Sequence, residues 1–265
     1  MNTMRLSTIL LAAITALVAI LLYSPLFVPI VSSFFVINHG QADWSTPTLS
    51  AYIALTENTD VLAALRATLI VGLCTVVLSV VCGTLLALYY HSHRAGGGAL
   101  QFIVFLPFLM PPVISGLALL IFFREINFDR SLVTIVIGHT IFVLAIVYRT
   151  ILTRLQSVSR TLVEASYDLG ANGWQTFWRV ILPNLSSAMA GGAILAFALS
   201  FDETMITILV TGTQSTLPVR LWAMMRLGFS PDINALVALV LLFTVLLCGL
   251  TARFLIPKQV AGFHG

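Results

Sequence analysis

The sequence predicts an all-α integral membrane protein with six transmembrane helices. Of its 265 residues, 59% are hydrophobic and only 9% are charged, whereas an ordinary soluble domain has roughly 25% charged residues. A soluble core of this size could not bury so much apolar surface, so the bilayer must cover it. Six apolar runs are long enough to cross the membrane as helices, which requires about 17 to 25 residues each.

The first apolar run predicts an uncleaved membrane anchor. No charged residue occurs from Leu6 to Ile37, whereas the apolar core of a cleavable signal peptide has only about 7 to 15 residues. The six predicted spans are Ser7–Ile37, Ala67–Tyr90, Leu100–Phe123, Leu132–Tyr148, Leu185–Val210 and Ala235–Ile256.

The basic residues predict the orientation of these spans. Successive hydrophilic segments between the spans lie on opposite sides of the membrane. The segments on one side hold eight basic residues, and those on the other side hold five. The first set consists of Arg5, Arg94, Arg149, Arg154, Arg160, Arg179, Arg253 and Lys258, and the second of Arg66, Arg124, Arg130, Arg220 and Arg226. The positive-inside rule then places both termini and the loop 149–184 in the cytoplasm. Because the arginines are scattered rather than clustered on one face, nucleic-acid binding is excluded as a function.

The third span carries three prolines, Pro107, Pro111 and Pro112. Each removes a backbone donor and clashes with the preceding turn, so this helix must kink or break. A broken membrane helix often lines a cavity that satisfies its backbone groups, but a packing kink explains the prolines equally well. Pro111 and Pro112 are therefore candidate pathway residues.

The loop 149–184 predicts two short helices that meet at a glycine turn. Thr161 and Glu164 have the spacing of a capping box that starts the first helix, and Gly170 is suited to end it in a left-handed conformation. Asn172 and Gln175 repeat the capping pattern, and Pro183 is expected to stop the second helix. The apolar residues at helical spacing in the two helices are Leu162, Ala165, Leu169, Trp174, Phe177, Trp178 and Ile181.

These residues carry a resemblance to a known family. Glu164-Ala165-Ser166, Gly170 six residues after the glutamate, and Val180-Ile181-Leu182-Pro183 resemble the EAA loop of membrane permeases in binding-protein-dependent ABC importers. Ser166 in place of the second alanine and Val180 in place of isoleucine are the departures. The resemblance covers the six-span layout and is closest to the C-type permease of spermidine/putrescine importers.

The resemblance implies a type I ABC importer permease fold, with residues 1–265 as a single transmembrane domain. It implies that the loop docks as a coupling helix on a cytoplasmic ATPase dimer, beside a second homologous permease, with an external substrate-binding protein. The implied coupling residues are Glu164, Ala165, Ser166, Asp168, Gly170, Ala171, Asn172, Gly173 and Pro183. By composition alone, the amphipathic loop could equally lie on the membrane surface; the spacing of glutamate, glycine and proline favours docking.

The chain is not expected to hydrolyse ATP or to hold a cofactor itself. A Walker A motif ends in Gly-Lys-Ser/Thr, and Lys258, the only lysine, stands between Pro257 and Gln259. ATP and magnesium are therefore expected on the partner ATPase. His91 and His93 lie close together without an acidic or thiol companion, so no metal site is predicted.

Two acidic residues, Asp202 and Glu203, interrupt the fifth apolar run. Carboxylates at membrane depth usually face a cavity or a pathway, although the helix could also end at Phe201 and leave both acids in water. A similar pair occurs in polyamine permeases, so the resemblance makes Asp202 and Glu203 candidate pathway residues. His139, in the fourth span, is expected to bond between helices rather than relay protons.

The function predicted is that of a permease subunit forming half of the pathway of an ATP-driven polyamine importer in the bacterial inner membrane. Because the external binding protein largely selects the substrate, phosphonate, sulfate or ferric iron are alternatives. An ion-coupled secondary transporter is a further alternative, but such folds typically contain internal repeats, and we find none in the sequence.

Overall fold

The computed structural model describes residues 2–38, 41–92, 97–227 and 231–255. The chain forms two compact units, one of Met1–Leu62 and Leu221–Cys248 and the other of Ala63–Arg220 and Gly249–Gly265. Lys258, Pro257, His93 and Arg94, which entered the sequence predictions, lie outside the described residues.

The first unit contains a long apolar helix and a short β-hairpin. Helix α1 (Asn2–Ser32) is followed by antiparallel strands β1 (Phe35–Asn38) and β2 (Gln41–Pro47), and then by helix α2 (Ser50–Glu57). The ring of Phe35 on β1 lies 5.0 Å from that of Trp44 on β2. The all-α class is confirmed for most of the described residues, but it did not anticipate this hairpin, and the first span ends at Ser32 rather than at Ile37.

The end of α1 is tied to α2 through one hydroxyl. Ser33 donates to the carbonyl of Ile30 at 2.6 Å, so the Tyr52 hydroxyl, 2.6 Å away, must donate to Ser33. The ring of Phe34 also packs on that of Tyr52, with 5.4 Å between centroids. Two neighbouring residues after α1 are thus held on α2, so the chain turns into the hairpin instead of continuing as a helix.

The second unit is built of helices. In chain order its elements are α3 (Thr59–Ser92, which begins in the first unit), α4 (Gly97–Leu109), α5 (Pro112–Glu125), α6 (Leu132–Ser157), α7 (Arg160–Asp168), α8 (Gly173–Thr176), a π-helical turn (Phe177–Ile181), α9 (Leu182–Asp202) and α10 (Met205–Val210). Helix α11 (Leu217–Leu227) begins in this unit and continues into the first, which also contains most of helix α12 (Pro231–Leu255).

Helix α6 is the centre of the second unit. Its side chains Val143, Tyr148, Ile151 and Leu152 are fully buried, and it packs most extensively on α9 and also on α4, α5 and α10. The predicted end at Tyr148 is therefore too early: α6 continues to Ser157, well into the predicted loop 149–184. Most of that loop is helical.

Among the described residues, four helices are long and apolar enough to cross a membrane: Thr8–Ser32, Thr59–Ser92, Leu132–Ser157 and Gly173–Asp202. The α4–α5 pair is a fifth if the two count as one span, although they bend by 103°. In α12, the predicted sixth span, the segment Asp232–Leu246 is apolar. The predicted breakage in the proline-rich span is confirmed, while the count of six remains a prediction.

Candidate functional site

Residues 159–176 form a folded elbow between α6 and α9, which we call the coupling elbow. Helix α7 is capped by Ser159, whose hydroxyl accepts from the backbone N–H of Thr161 at 3.2 Å. The predicted capping box of Thr161 and Glu164 is therefore wrong, because the N-cap is Ser159, two residues before Thr161, and the helix begins at Arg160. The exposed Glu164 carboxylate thus has no capping role.

The turn after α7 depends on a glycine. Gly170 has φ +81°, the left-handed conformation that glycine adopts without strain. Its N–H donates to the carbonyl of Tyr167 at 2.9 Å, and the N–H of Ala171 donates to that of Ser166 at 3.0 Å. These two bonds form a Schellman motif, which satisfies the last carbonyls of the helix. The predicted left-handed helix end at Gly170 is confirmed.

The second helix of the elbow begins as predicted. The Asn172 side chain accepts from the N–H of Gln175 at 2.9 Å, and the Gln175 side chain accepts from the N–H of Asn172 at 2.9 Å. This reciprocal pair is a complete capping box, and Gly173 is the first residue of α8.

A buried hydroxyl pair joins the two helices of the elbow. Ser166 donates to the carbonyl of Val163 at 2.7 Å, so the hydroxyl of Thr176, 2.9 Å from that of Ser166, donates to Ser166. Ser166 and Thr176 are only 8% and 1% exposed. The serine that departs from the family pattern thus supplies a contact that alanine could not.

Pro183 does not stop the second helix, contrary to the prediction. Helix α8 passes through the π-helical turn into α9, with Pro183 as the second residue of α9. The turn is closed by the N–H of Leu182, which donates to the carbonyl of Phe177, and the Asn184 side-chain amide donates to the carbonyl of Val180 at 2.7 Å. A wide turn with an extra side-chain donor accommodates the missing proline N–H.

The coupling elbow exposes an apolar surface. Leu169 is 89% exposed and Trp174 is 70% exposed, while Glu164, Ala165 and Asp168 are exposed beside them. Large apolar side chains at this exposure on a well-capped elbow indicate a surface that another molecule or the lipid covers.

The third predicted span breaks at its prolines. Helix α4 ends at Leu109, Pro111 caps α5 and Pro112 is its first residue. The hydroxyl of Ser115, in the first turn of α5, donates back to the carbonyl of Pro107 in α4 at 3.3 Å. The break is therefore a structured corner.

A second break separates α9 from α10 at the acidic pair. Asp202 is the last residue of α9 and is exposed, whereas Glu203 is only 9% exposed. One carboxylate oxygen of Glu203 accepts from the backbone N–H of Ile206 at 2.9 Å, at the start of α10. The fifth predicted span thus ends at Asp202, and the two acids differ in environment.

Both breaks lead into helices that pack on each other. A Cβ on Gly116 of α5 would lie 3.1 Å from the Cα of Ile206 on α10, and one on Gly138 of α6 would lie 2.7 Å from its side chain. The hydroxyl of Thr134 on α6 lies 2.7 Å from the carbonyl oxygen of Val210, and 2.6 Å from that of Ser131. The acidic break is thus fixed to α5 and α6, whereas the coupling elbow lies at the other end of α9.

Comparison with protein families identifies the chain. Residues 79–257 match the family described as binding-protein-dependent transport system inner membrane component. The chain belongs to this family. It is therefore a permease subunit of an ABC importer, and its helices are those of a multi-pass membrane protein.

Two relatives of this permease come from Escherichia coli strain K12. It is 32% identical to the putrescine transport system permease protein PotI over 234 residues, which cover 83% of this chain and 81% of PotI. It is 28% identical to the spermidine/putrescine transport system permease protein PotC over 228 residues, covering 85% of this chain and 86% of PotC.

The fold also matches a solved ABC importer. A chain of a bacterial ABC transporter involved in the import of the acidic polysaccharide alginate superposes with a TM-score of 0.77, covering 97% of this chain and 99% of that one. At 15% identity, this likeness shows the fold of the permease.

Proposed function

We propose that this permease forms half of the transmembrane pathway of an ATP-driven importer of polyamines. In this proposal a second homologous permease forms the other half, an external binding protein delivers spermidine- or putrescine-like cations, and a cytoplasmic ATPase dimer hydrolyses ATP with its magnesium. The observation that carries the substrate class is the acidic pair at the helix break. Two relatives whose names state putrescine or spermidine/putrescine transport support the same class.

The acidic pair supports a path for cations. Asp202 is exposed at the end of a 21-residue helix, which is about 30 Å long. An ionised carboxylate that faces lipid inside the hydrocarbon core is costly, so an acidic residue in a membrane span usually faces a water-filled or protein-lined space. A polyamine that enters this space loses hydration, and a nearby carboxylate offsets part of that loss. An amide would offer only a dipole.

The coupling elbow supports a rigid contact with an ATPase. It is closed by two hydrogen-bonded caps and one buried hydroxyl pair, and it presents Leu169 and Trp174 outward. A shaped apolar surface of this kind is suited to a groove in a protein partner. The excess of basic residues on the same side supports a cytoplasmic location for the elbow and both termini.

The test is uptake by the complete transporter in vesicles, with ATPase, second permease and binding protein present. Replacing both acids, Asp202→Asn with Glu203→Gln, keeps their size and should lower spermidine and putrescine uptake without changing polyamine binding to the external protein. The matched control is Glu125→Gln with Asp129→Asn, which removes one exposed acid at the end of α5 and one just after it and should leave uptake unchanged. Equal uptake in the pathway variant and the wild type would refute the pathway role.

A second candidate substrate has one specific observation in its favour. The sulfate transport system permease protein CysW of Synechococcus elongatus is 29% identical over 188 residues, which cover 64% of this chain and 66% of CysW. An anion would be repelled by the acidic pair, so the same vesicles should not accumulate sulfate. If sulfate uptake were present and rose in the double variant, the polyamine assignment would be wrong.

A further inference from the structure

His139 connects the two sides of the acidic break. Its Nδ1 lies 2.8 Å from the hydroxyl of Ser200 on α9, and its Nε2 lies 2.8 Å from the hydroxyl of Thr207 on α10. The imidazole is fully buried, as is Thr207, and Ser200 is only 3% exposed. One side chain of α6 therefore holds residues that precede and follow Asp202 and Glu203.

The hydrogen bonds fix which ring nitrogen carries the proton. The hydroxyl of Thr207 donates to the backbone carbonyl of Glu203 at 2.9 Å, so it can only accept from His139. Nε2 must therefore be the N–H donor, and in the neutral ring Nδ1 accepts from the hydroxyl of Ser200. The result is a directed chain from Ser200 through His139 and Thr207 to the backbone of Glu203.

This chain ends on the residue whose carboxylate lies at the break. The carbonyl of Glu203 is held by Thr207, and its carboxylate is held by the N–H of Ile206. Glu203 itself lies between α9 and α10, and both of these bonds are to residues of α10, which has only six residues. The orientation of Glu203 therefore depends on how α10 is held.

We propose that His139 is a positioning residue for transport: by tying α9 to α10 across the break, it holds Glu203 in the orientation that the pathway requires. This rests on the proposed role of the acidic pair in the pathway. His139 does not touch the cation; it acts through the position of α10 relative to α9.

The test compares variants per assembled transporter complex in vesicles. His139→Leu removes both hydrogen bonds, and we expect it to lower maximal polyamine uptake roughly tenfold. The concentration of loaded binding protein that gives half-maximal uptake should not change. His139→Gln keeps one donor and one acceptor and should restore most of the uptake. Thr150→Val, the matched control, removes a hydroxyl of α6 that bonds only to the carbonyl of Ile146 in the same helix, and it should transport like the wild type.

A double-variant cycle separates positioning from a purely structural role. If His139 acts through Glu203, His139→Leu should cause little further loss in a Glu203→Gln background. Additive losses, wild-type uptake in His139→Leu, or no rescue by His139→Gln would overturn the positioning role. Wild-type uptake in Glu203→Gln would instead refute the pathway role of Glu203. If His139→Leu nevertheless lost uptake, His139 would act through another residue, which also overturns the positioning role.

Discussion

Replacing Gly170 by alanine isolates the conformational requirement of the coupling elbow. At φ +81° a Cβ would meet nothing within 4 Å, so the substitution adds backbone strain without a steric clash. The left-handed conformation costs an L-residue about 1–2 kcal/mol, and β-branched valine more. The unbound elbow can relieve this strain by opening its turn, whereas the docking surface proposed above requires both arms in place. Binding to the ATPase should therefore weaken roughly 5- to 30-fold, and Gly170→Val should weaken it further.

The assay is titration of the purified ATPase onto the permease complex in lipid nanodiscs, followed by uptake in vesicles. Gly98→Ala is the matched control, because a Cβ there would also meet nothing within 4 Å and the residue lies in helix α4, outside the elbow. This control should bind and transport like the wild type. Wild-type binding by Gly170→Ala, or an equal loss in Gly98→Ala, would refute the argument from backbone strain.

Three further variants test the packing and the exposed surface. Ser166→Ala leaves the buried hydroxyl of Thr176 without its partner and should lower stability by about 1–3 kcal/mol. In thermal denaturation, the stability losses of Ser166→Ala and Thr176→Val should not add in the double variant, and additive losses would contradict the contact. Gly138→Leu should lower the melting temperature because its Cβ lies 2.7 Å from Ile206, and Ile206→Ala should restore part of the loss; no recovery would place the clash elsewhere. Trp174→Ser should reduce co-purification with the ATPase at unchanged membrane insertion, whereas unchanged co-purification would favour the membrane-surface interpretation of the loop.

Hydropathy was sufficient to predict membrane helices, but not their ends. The apolar residues Phe34 to Ile37 extend the first run in sequence, yet the contacts of Ser33 and Phe34 with Tyr52 turn the chain into a hairpin. An apolar tetrapeptide is compatible with either a helix or a strand. Its hydrogen-bond partners, which are distant in sequence, decide between them.

The sequence predicts some helix ends correctly and others wrongly, for a related reason. Asn172 is the one polar residue suited to start its helix, and its box with Gln175 forms as expected. Near the start of α7, however, Ser159 and Thr161 are both suitable caps, and spacing alone does not choose between them. Proline normally ends a helix, and the sequence does not reveal the π-helical turn that lets Pro183 lie inside one.

The contacts around the acidic break could not be found from spacing at all. Ser200 and Thr207 lie 61 and 68 residues after His139, and one sequence offers no means to pair them. The sequence indicated only that a buried histidine would bond between helices, which the structure confirms. That it bonds on both sides of a helix break is a property of the tertiary fold.

The continuity of α8, the π-helical turn and α9 has a consequence for insertions and deletions. From Gly173 to Asp202 the backbone is one unbroken 30-residue helix. The direction in which Asp202 leaves the helix axis is therefore fixed relative to that of the elbow residues in α8. Each residue added to or removed from an α-helix rotates everything beyond it by about 100°. A single deletion between them would therefore point Asp202 toward a different neighbour. Removing seven residues would nearly restore its direction but would shorten its distance from the elbow along the helix axis.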